Sequence, residues 1–327
     1  MPHGLLLINL GTPDRANIAA VKKYLREFLT DKRVIDLPAP VRYLLVYAFI
    51  LPFRAAKSSR AYQQIWTNEG SPLLRNSLCL VDQLQNYLGQ EYKVALGMRY
   101  GSPSIEQALN QLKDSSSLTV LPLYPQYSSA ATGSSIEEVM DVLKSKEVLP
   151  SLKIIRDFYQ NPAYLEAQAA LVKPFIGDHE HLIFSYHGLP ERQIIKSGCV
   201  TVCQELCPPV SLANQACYKA QCHETSSLLA SKLNLSREQY STAFQSRLGK
   251  TPWIKPYTDD LLSDLAAKGI KNIAIACPSF VTDCLETIEE IGIRARQQWQ
   301  TLGGKKFTLI SCLNTDTLWL KAIKEII

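Results

Sequence analysis

The sequence predicts an α/β fold of two similar Rossmann-like domains, each a parallel sheet flanked by helices. Two features of the chain point there. Continuous apolar runs bounded by Gly and Pro recur along it, and each is followed by a helical pattern. Strands of that kind are buried on both faces, as in parallel sheets covered by helices. The two halves also repeat one plan. LLLINLGTP, residues 5–13, is echoed by HLIFSYHGLP, residues 181–190: an apolar run, a Gly–x–Pro turn, then a helical stretch. LTVLPLYPQYSSAATGSSIEEV, residues 118–139, is echoed by NIAIACPSFVTDCLETIEEI, residues 272–291.

Taken in order, strands are expected at 5–10, 118–123, 152–158, 181–186 and 272–277. Helices are expected at 14–29, 72–88, 134–146, 162–175 and 223–234, with another beginning near Thr282. The domains divide as 1–160 and 161–327, with the last helix free to pack back on the first. In open α/β sheets ligands bind beyond the strand C-termini, so a cleft between the two halves is the expected site.

The chain has 327 residues, 46% hydrophobic and 20% charged, enough apolar material for two ordinary domains. The net charge of +5 is mild, and no Lys/Arg block is interleaved with aromatics, so nucleic acid is not an expected partner. LLLINL lacks the positive leader and the length of a signal segment. The other long apolar run, residues 43–53, falls short of the ~20 residues that a spanning helix needs. The expected location is the cytoplasm, where thiols stay reduced. Nine cysteines there argue for metal or cluster chemistry over a disulfide framework.

Residues 41–60, VRYLLVYAFILPFRAAKSSR, join four aromatics to Arg54, Lys57 and Arg60. A core helix with a solvated end has this pattern. So does an exposed apolar lip that touches a membrane or holds a large apolar ligand.

Two segments carry chemistry. In SYHGLPER, His187 ends a predicted strand. Such a histidine is often structural, yet a neutral imidazole also accepts a proton or holds a metal. In FVTDCLETIEE, Asp283, Glu286 and Glu290 are spaced by three and four, along one helix face. A solvated acidic face at a helix start has that spacing too. The functional alternative is a row of oxygen ligands and proton acceptors for a divalent cation.

Five of the nine cysteines lie in CVTVCQELCPPVSLANQACYKAQCH, residues 199–223. Cys199, Cys203 and Cys207 are four apart, and Cys217 and Cys222 follow. A [2Fe–2S] cluster wants four such thiolates, and a tetrahedral zinc ion would accept them as well. His223 is a further candidate ligand. Cys79, Cys277, Cys284 and Cys312 sit in apolar contexts and read as core residues.

In order along nearly the whole chain, LINLGTP, YQQIWTNEGSPL, GMRYGSPSI, LPLYPQYSSAATGSS, SYHGLPER, CYKAQCHET, TPWIKPYTDD and FVTDCLETIEEI resemble ferrochelatase. That family inserts Fe²⁺ into a porphyrin. The resemblance implies Fe²⁺ and protoporphyrin as substrates, with His187 and Glu286 as the catalytic pair and as metal contacts. Asp283 and Glu290 extend the iron path. It places Arg99, Tyr100, Tyr127, Trp253 and the position of Leu10 against the porphyrin, although Leu10 itself offers no metal ligand. Cys284 likewise stands where some members have histidine. The 41–60 segment falls at the family's hydrophobic lip, which implies peripheral contact with the inner membrane face. The cysteine-rich insertion, 199–222, resembles a bacterial subset that carries a [2Fe–2S] cluster. The expected ligands are Cys203, Cys207, Cys217 and Cys222, with Cys199 as the spare. Iron insertion into coproporphyrin III, a tetrapyrrole carrier on the same fold, and a two-lobed periplasmic-type metal binder are the alternatives.

Overall fold

The N-terminal apolar run becomes β1, His3–Gly11, whose Leu5, Leu6, Leu7 and Ile8 are fully buried, as a strand covered on both faces requires. The structure is a computed structural model and describes residues 1–204, 207–249 and 251–327. β2 (Tyr92–Tyr100), β3 (Ser117–Pro122) and β4 (Ser151–Ile154) join β1 in a parallel sheet of order β2-β1-β3-β4. A second parallel sheet follows. It contains β5 (His181–His187), β6 (Tyr240–Gln245), β7 (Asn272–Ala276) and β8 (Lys306–Leu309), in the order β6-β5-β7-β8. Numbered within each half, the two orders are the same, so the internal echo in the sequence is a repeat of topology.

The chain divides into two compact units. One is Met1–Tyr124 with Ser128–Asp157 and Ile326–Ile327, and the other is Pro125–Tyr127 with Phe158–Glu325. The helix Thr317–Ile326 therefore stays with the second unit through Glu325. Each unit has its own core. In the first, Leu6, Ile8, Val120, Leu109 and Val139 meet between sheet and helices. In the second, Ile183, Ile273, Ile275, Leu262 and Trp299 do the same. Each such side chain contributes about 1.5–3 kcal/mol on leaving water.

The strands that the apolar pattern predicted include every central one. β2, β6 and β8, which it did not predict, are all edge strands. β4, expected over 152–158, is also an edge strand and pairs over only four residues. An edge strand faces water along one side and carries polar residues, so its apolar run is broken. YSTAFQ shows this, whereas β2 keeps a buried apolar run at 94–98 between polar ends.

Local chemistry sets the helix ends. The first helix begins at Ile18, not near residue 14, because the Asn17 side chain accepts the Ala20 N–H at 2.9 Å. Pro72–Leu88 starts on a proline, which suits a first turn whose N–H is unpaired. Tyr218–Lys232 begins five residues earlier than expected, with Cys217 at its N-cap. The helix expected from Thr282 is instead a π-helix, Glu286–Ala295.

The 41–60 segment is part of one continuous helical stretch, Ala39–Ile65, with a π-helical turn at Leu45–Ile50. At 27 residues it is long enough to cross a membrane, although the apolar run alone was shorter than that, and only 22% of its apolar window is buried. The buried positions Val46, Leu51, Ala55, Ser59 and Tyr62 form a single stripe. Tyr43, Leu44, Tyr47, Phe49 and Phe53 face outward, Phe53 with 77% of its surface exposed. The core-helix alternative fails on these residues.

One buried charge network ties the first unit together. Arg99 Nη2 donates to Asp31 Oδ2 at 2.8 Å, and Arg99 Nε donates to Ser134 Oγ at 2.6 Å. The Tyr100 hydroxyl donates to the same Asp31 oxygen at 2.8 Å. Burial, with the Asp31 charge beside it, pushes the Tyr100 pKa up, so the hydroxyl remains a donor. Just before these residues in the fold, Gly11 turns the chain at φ +112°, where an added Cβ would fall 1.8 Å from the Tyr100 carbonyl oxygen. Asp31→Ala takes the buried carboxylate from Arg99 and Tyr100 and leaves Arg99 paired with Glu138 alone, and urea unfolding is expected to show a loss of about 3 kcal/mol.

Candidate active site

β5 delivers His187 at its C-terminal end, opposite Gln245 at the end of β6. His187 Nδ1 lies 2.6 Å from the carbonyl oxygen of Gly188. A carbonyl only accepts, so Nδ1 carries the hydrogen, and the neutral ring keeps its lone pair on Nε2. The backbone on both sides of the ring is also held. The His187 N–H donates to Ser279 Oγ at 3.1 Å, and its carbonyl accepts the Tyr218 hydroxyl at 2.8 Å. Trp253 and Phe280 stand beside the imidazole with ring centroids 6.4 and 6.3 Å away. Trp253 is itself fixed by its indole N–H, which donates to the Leu248 carbonyl at 3.0 Å.

The acidic residues come from the π-helix and the turn before it. Glu290 accepts the Ser246 N–H at 2.8 Å and the Ser246 hydroxyl at 2.6 Å. Ser246 follows β6 with φ +69°, a conformation that non-glycine residues rarely adopt and one that turns both donors toward Glu290. Burial raises the Glu290 pKa, and the charge of Glu286 adds to the effect. Ser246, Arg294 and His187 pull in the other direction. Glu290 thus senses both Glu286 and His187, and the three form one electrostatic group. Glu286 is partly buried, and its carbonyl accepts the Gln245 side-chain amide at 2.9 Å.

Asp283 belongs to a different network. Its carboxylate accepts Asn314 Nδ2 at 2.7 Å, the Thr287 hydroxyl at 3.1 Å and the Cys312 N–H at 3.2 Å. These bonds hold the turn, so Asp283 lies before the helix and does not extend a row along its face.

Gln245, Ser246, Ser279 and Tyr218 were not among the residues singled out from the sequence. Gln245 accepts from Ser185 at 2.8 Å while donating to Glu286, and so links β5 to the π-helix. The one trace of it in the sequence is a glutamine ending the run YSTAFQ. Arg99 and Tyr100, expected at the porphyrin, are engaged with Asp31 and Ser134 in the first unit, where Leu10 also lies, at the end of β1. The Tyr127 backbone N–H donates to Gln221 Oε1 at 2.6 Å, within the second unit.

Of the cysteine-rich segment, Glu205 and Leu206 lie outside the described residues. Cys199, Cys203, Cys207 and Cys217 line one cavity of about 200 Å³. Cys222 does not join them. It is fully buried within the helix Tyr218–Lys232, burial raises its pKa, and its thiol hydrogen-bonds the Tyr218 side chain. Four thiols therefore face the cavity, but Cys199 takes the place expected for Cys222. The reason is helical geometry: five residues beyond Cys217, Cys222 has turned toward the core. His223 is not a cavity-lining residue either. Its Nε2 is buried without a hydrogen-bond partner, and burial lowers its pKa to about 4. The Cys217 pKa is lowered to about 6, first by the Cys207 thiol and then by the backbone N–H groups of Ala220 and Lys219 at the helix start. Among the described residues no group of three or more His, Cys, Asp or Glu side chains converges to hold a single metal ion.

A family model described as Ferrochelatase matches residues 2–327. The chain belongs to the ferrochelatase family. It is 64% identical to the ferrochelatase of Legionella pneumophila (strain Lens) over 327 residues, which cover 100% of this chain and 99% of the relative. With the ferrochelatase of Coxiella burnetii (strain CbuK_Q154) it shares 49% identity over 98% of this chain and 92% of that one. Among solved structures, SirB from Bacillus subtilis with Fe³⁺ superposes with a TM-score of 0.55 at 11% identity. That match covers 100% of this chain and 96% of SirB, a likeness of fold alone. Membership in the ferrochelatase family gives the histidine–glutamate group its context.

Gln245→Leu removes the side-chain donor to the Glu286 carbonyl and leaves the Ser185 hydroxyl with Thr258 alone. A stability loss of about 1–3 kcal/mol is expected in chemical denaturation, together with slower metal insertion at unchanged porphyrin affinity.

Proposed function

We propose that this chain inserts Fe²⁺ into protoporphyrin IX, releasing the two pyrrole protons and forming protohaem. The observation that carries the proposal is the Nε2 lone pair of His187, left free by the Nδ1–H bond to Gly188, in one electrostatic group with Glu286 and Glu290. In a neutral imidazole that nitrogen accepts a proton as each N–H gives way to an Fe–N bond. Glu286 stabilises the imidazolium that results. Glu290, partly buried and held by Ser246, relays the proton or meets the incoming cation. Trp253 and Phe280 flank the ring with apolar surface, which suits a large planar tetrapyrrole. A macrocycle bound out of plane exposes its nitrogens, and binding that distorted form is how such a site lowers the barrier. Arg99 and Tyr100 act through the first unit's frame on this view, and Asp283 through the turn that sets Glu286.

His187→Ala is expected to reduce Fe²⁺ insertion at least about 100-fold with porphyrin still bound, followed by loss of porphyrin fluorescence under anaerobic conditions. Retained activity in the variant would remove His187 from the reaction. Porphyrin binding without metal insertion by the native chain would favour the carrier. Faster turnover of coproporphyrin III would reassign the substrate.

The cysteine cavity fits a [2Fe–2S] cluster. Its four thiols line one cavity, and a [2Fe–2S] cluster takes four thiolates. Cys199, Cys203, Cys207 and Cys217 would hold it. Among the described residues none of these cysteines bonds His187, Glu286 or Glu290, so the proposed role is structural or iron-sensing. Cys217→Ser is expected to lose the visible absorbance and the acid-labile sulfide of the anaerobically purified protein, while Cys222→Ser keeps both.

The helical stretch Ala39–Ile65 supports peripheral membrane contact. One stripe packs on the first unit, so it lies on a bilayer and does not cross it, and exposed Lys57 and Arg60 flank the outward aromatics. Phe49→Glu with Phe53→Glu is expected to abolish sedimentation with anionic vesicles and to leave the fold intact.

A further inference from the structure

Lys219 is 1% exposed, an unusual place for an ammonium group unless something nearby compensates it. It sits in the first turn of the helix Tyr218–Lys232, between Cys217 at the N-cap and Ala220, and both of those neighbours line the thiol cavity. Its Nζ donates to the carbonyl oxygens of Cys203 and Gln204. The lysine therefore ties the backbone of the cysteine loop to the helix that carries Cys217. Its electrostatic neighbours are Cys203, Cys207, Cys217 and Glu191. Two neutral carbonyls take two of its three hydrogens but do not offset its charge. Glu191 acts on that charge, and thiolates at Cys207, Cys203 and Cys217 would act more strongly.

We propose that Lys219 is the buried counter-charge and positioning residue of the four-thiolate site. It holds the loop so that Cys203 faces the cavity, and it sets the potential of the group bound there. The inference rests on the [2Fe–2S] assignment above. A cluster held by four thiolates is anionic and gains one more negative charge when it takes up one electron. A fixed positive charge beside it favours the reduced form and raises the reduction potential. The hydrogen bonds to the loop do separate work, because they decide how firmly the cluster is held.

Three variants separate these effects: Lys219→Met removes charge and donors, Lys219→Gln keeps donors without charge, and Lys219→Arg keeps both. Each is purified anaerobically as the full chain. Iron and acid-labile sulfide are counted before and after a chelator challenge, and the midpoint potential is read by dithionite titration of the visible bands. Lys219→Met is expected to lose iron to the chelator about tenfold faster than the native protein. Its remaining cluster should titrate at a more negative potential. Lys219→Gln should retain its iron while sharing the negative shift, and Lys219→Arg should restore both. A native protein with a full cluster, beside Met and Gln variants of unchanged potential, would overturn the role of Lys219 and leave the cluster in place. If Lys219→Met does not fold, an unchanged potential in Lys219→Gln overturns it equally. A native protein with neither iron nor sulfide after reconstitution would overturn the cluster assignment itself.

Discussion

The parallel register of β5 with β6 and β7 is the constraint on which the second unit's chemistry depends. It ends β5 at His187 directly opposite Gln245, with Ser246 one residue further on. From that alignment Gln245 reaches the first carbonyl of the π-helix and Ser246 reaches its third glutamate, Glu290. A shift of one residue would send these side chains to the opposite face of the sheet and dissolve the group. The sheet therefore does more than support the site, since it aligns His187 with Gln245 and Ser246, the two residues that hold the π-helix.

The π-helix is the second element of that geometry. A turn with more than 3.6 residues rotates side chains away from their α-helical directions, and such turns recur at functional sites. Here Asp283 closes the turn ahead of the helix with three hydrogen bonds, and the helix then starts with Glu286. Three acids that look equivalent in the sequence have distinct roles. Asp283 holds the turn, Glu286 stands at the helix start, and Glu290 is held by both donors of Ser246.

The cysteine-rich segment shows the same division. Cys217 and Cys222 look like a pair, yet one caps a helix and the other is buried within it. The Cys207 thiol, and after it the backbone N–H groups at the cap position, lower the Cys217 pKa, while burial raises that of Cys222. Lys219, between them, carries its charge into the protein instead of toward solvent. Nothing in CYKAQC marks that lysine as different from any other on a helix.

Much of this protein was legible from its residues. Central strands such as LLLINL and HLIFSY are covered on both faces, and that burial writes itself as unbroken apolar runs, so the two-sheet α/β plan and its repeat could be read directly. The motifs around SYHGLP and CLETIEE likewise placed His187, Glu286 and Glu290. The edge strands β6 and β8 were not legible, because water on one side permits polar residues and erases the run, and β2 was missed although its residues 94–98 are apolar and buried. Nor were Gln245, Ser246 and Tyr218, whose roles are hydrogen bonds across strands and helices far apart in the chain. Pattern records which residues avoid water. Which polar group meets which, and which way a buried sulfur or ammonium turns, is decided only when the chain has folded and each unmet donor must find its acceptor.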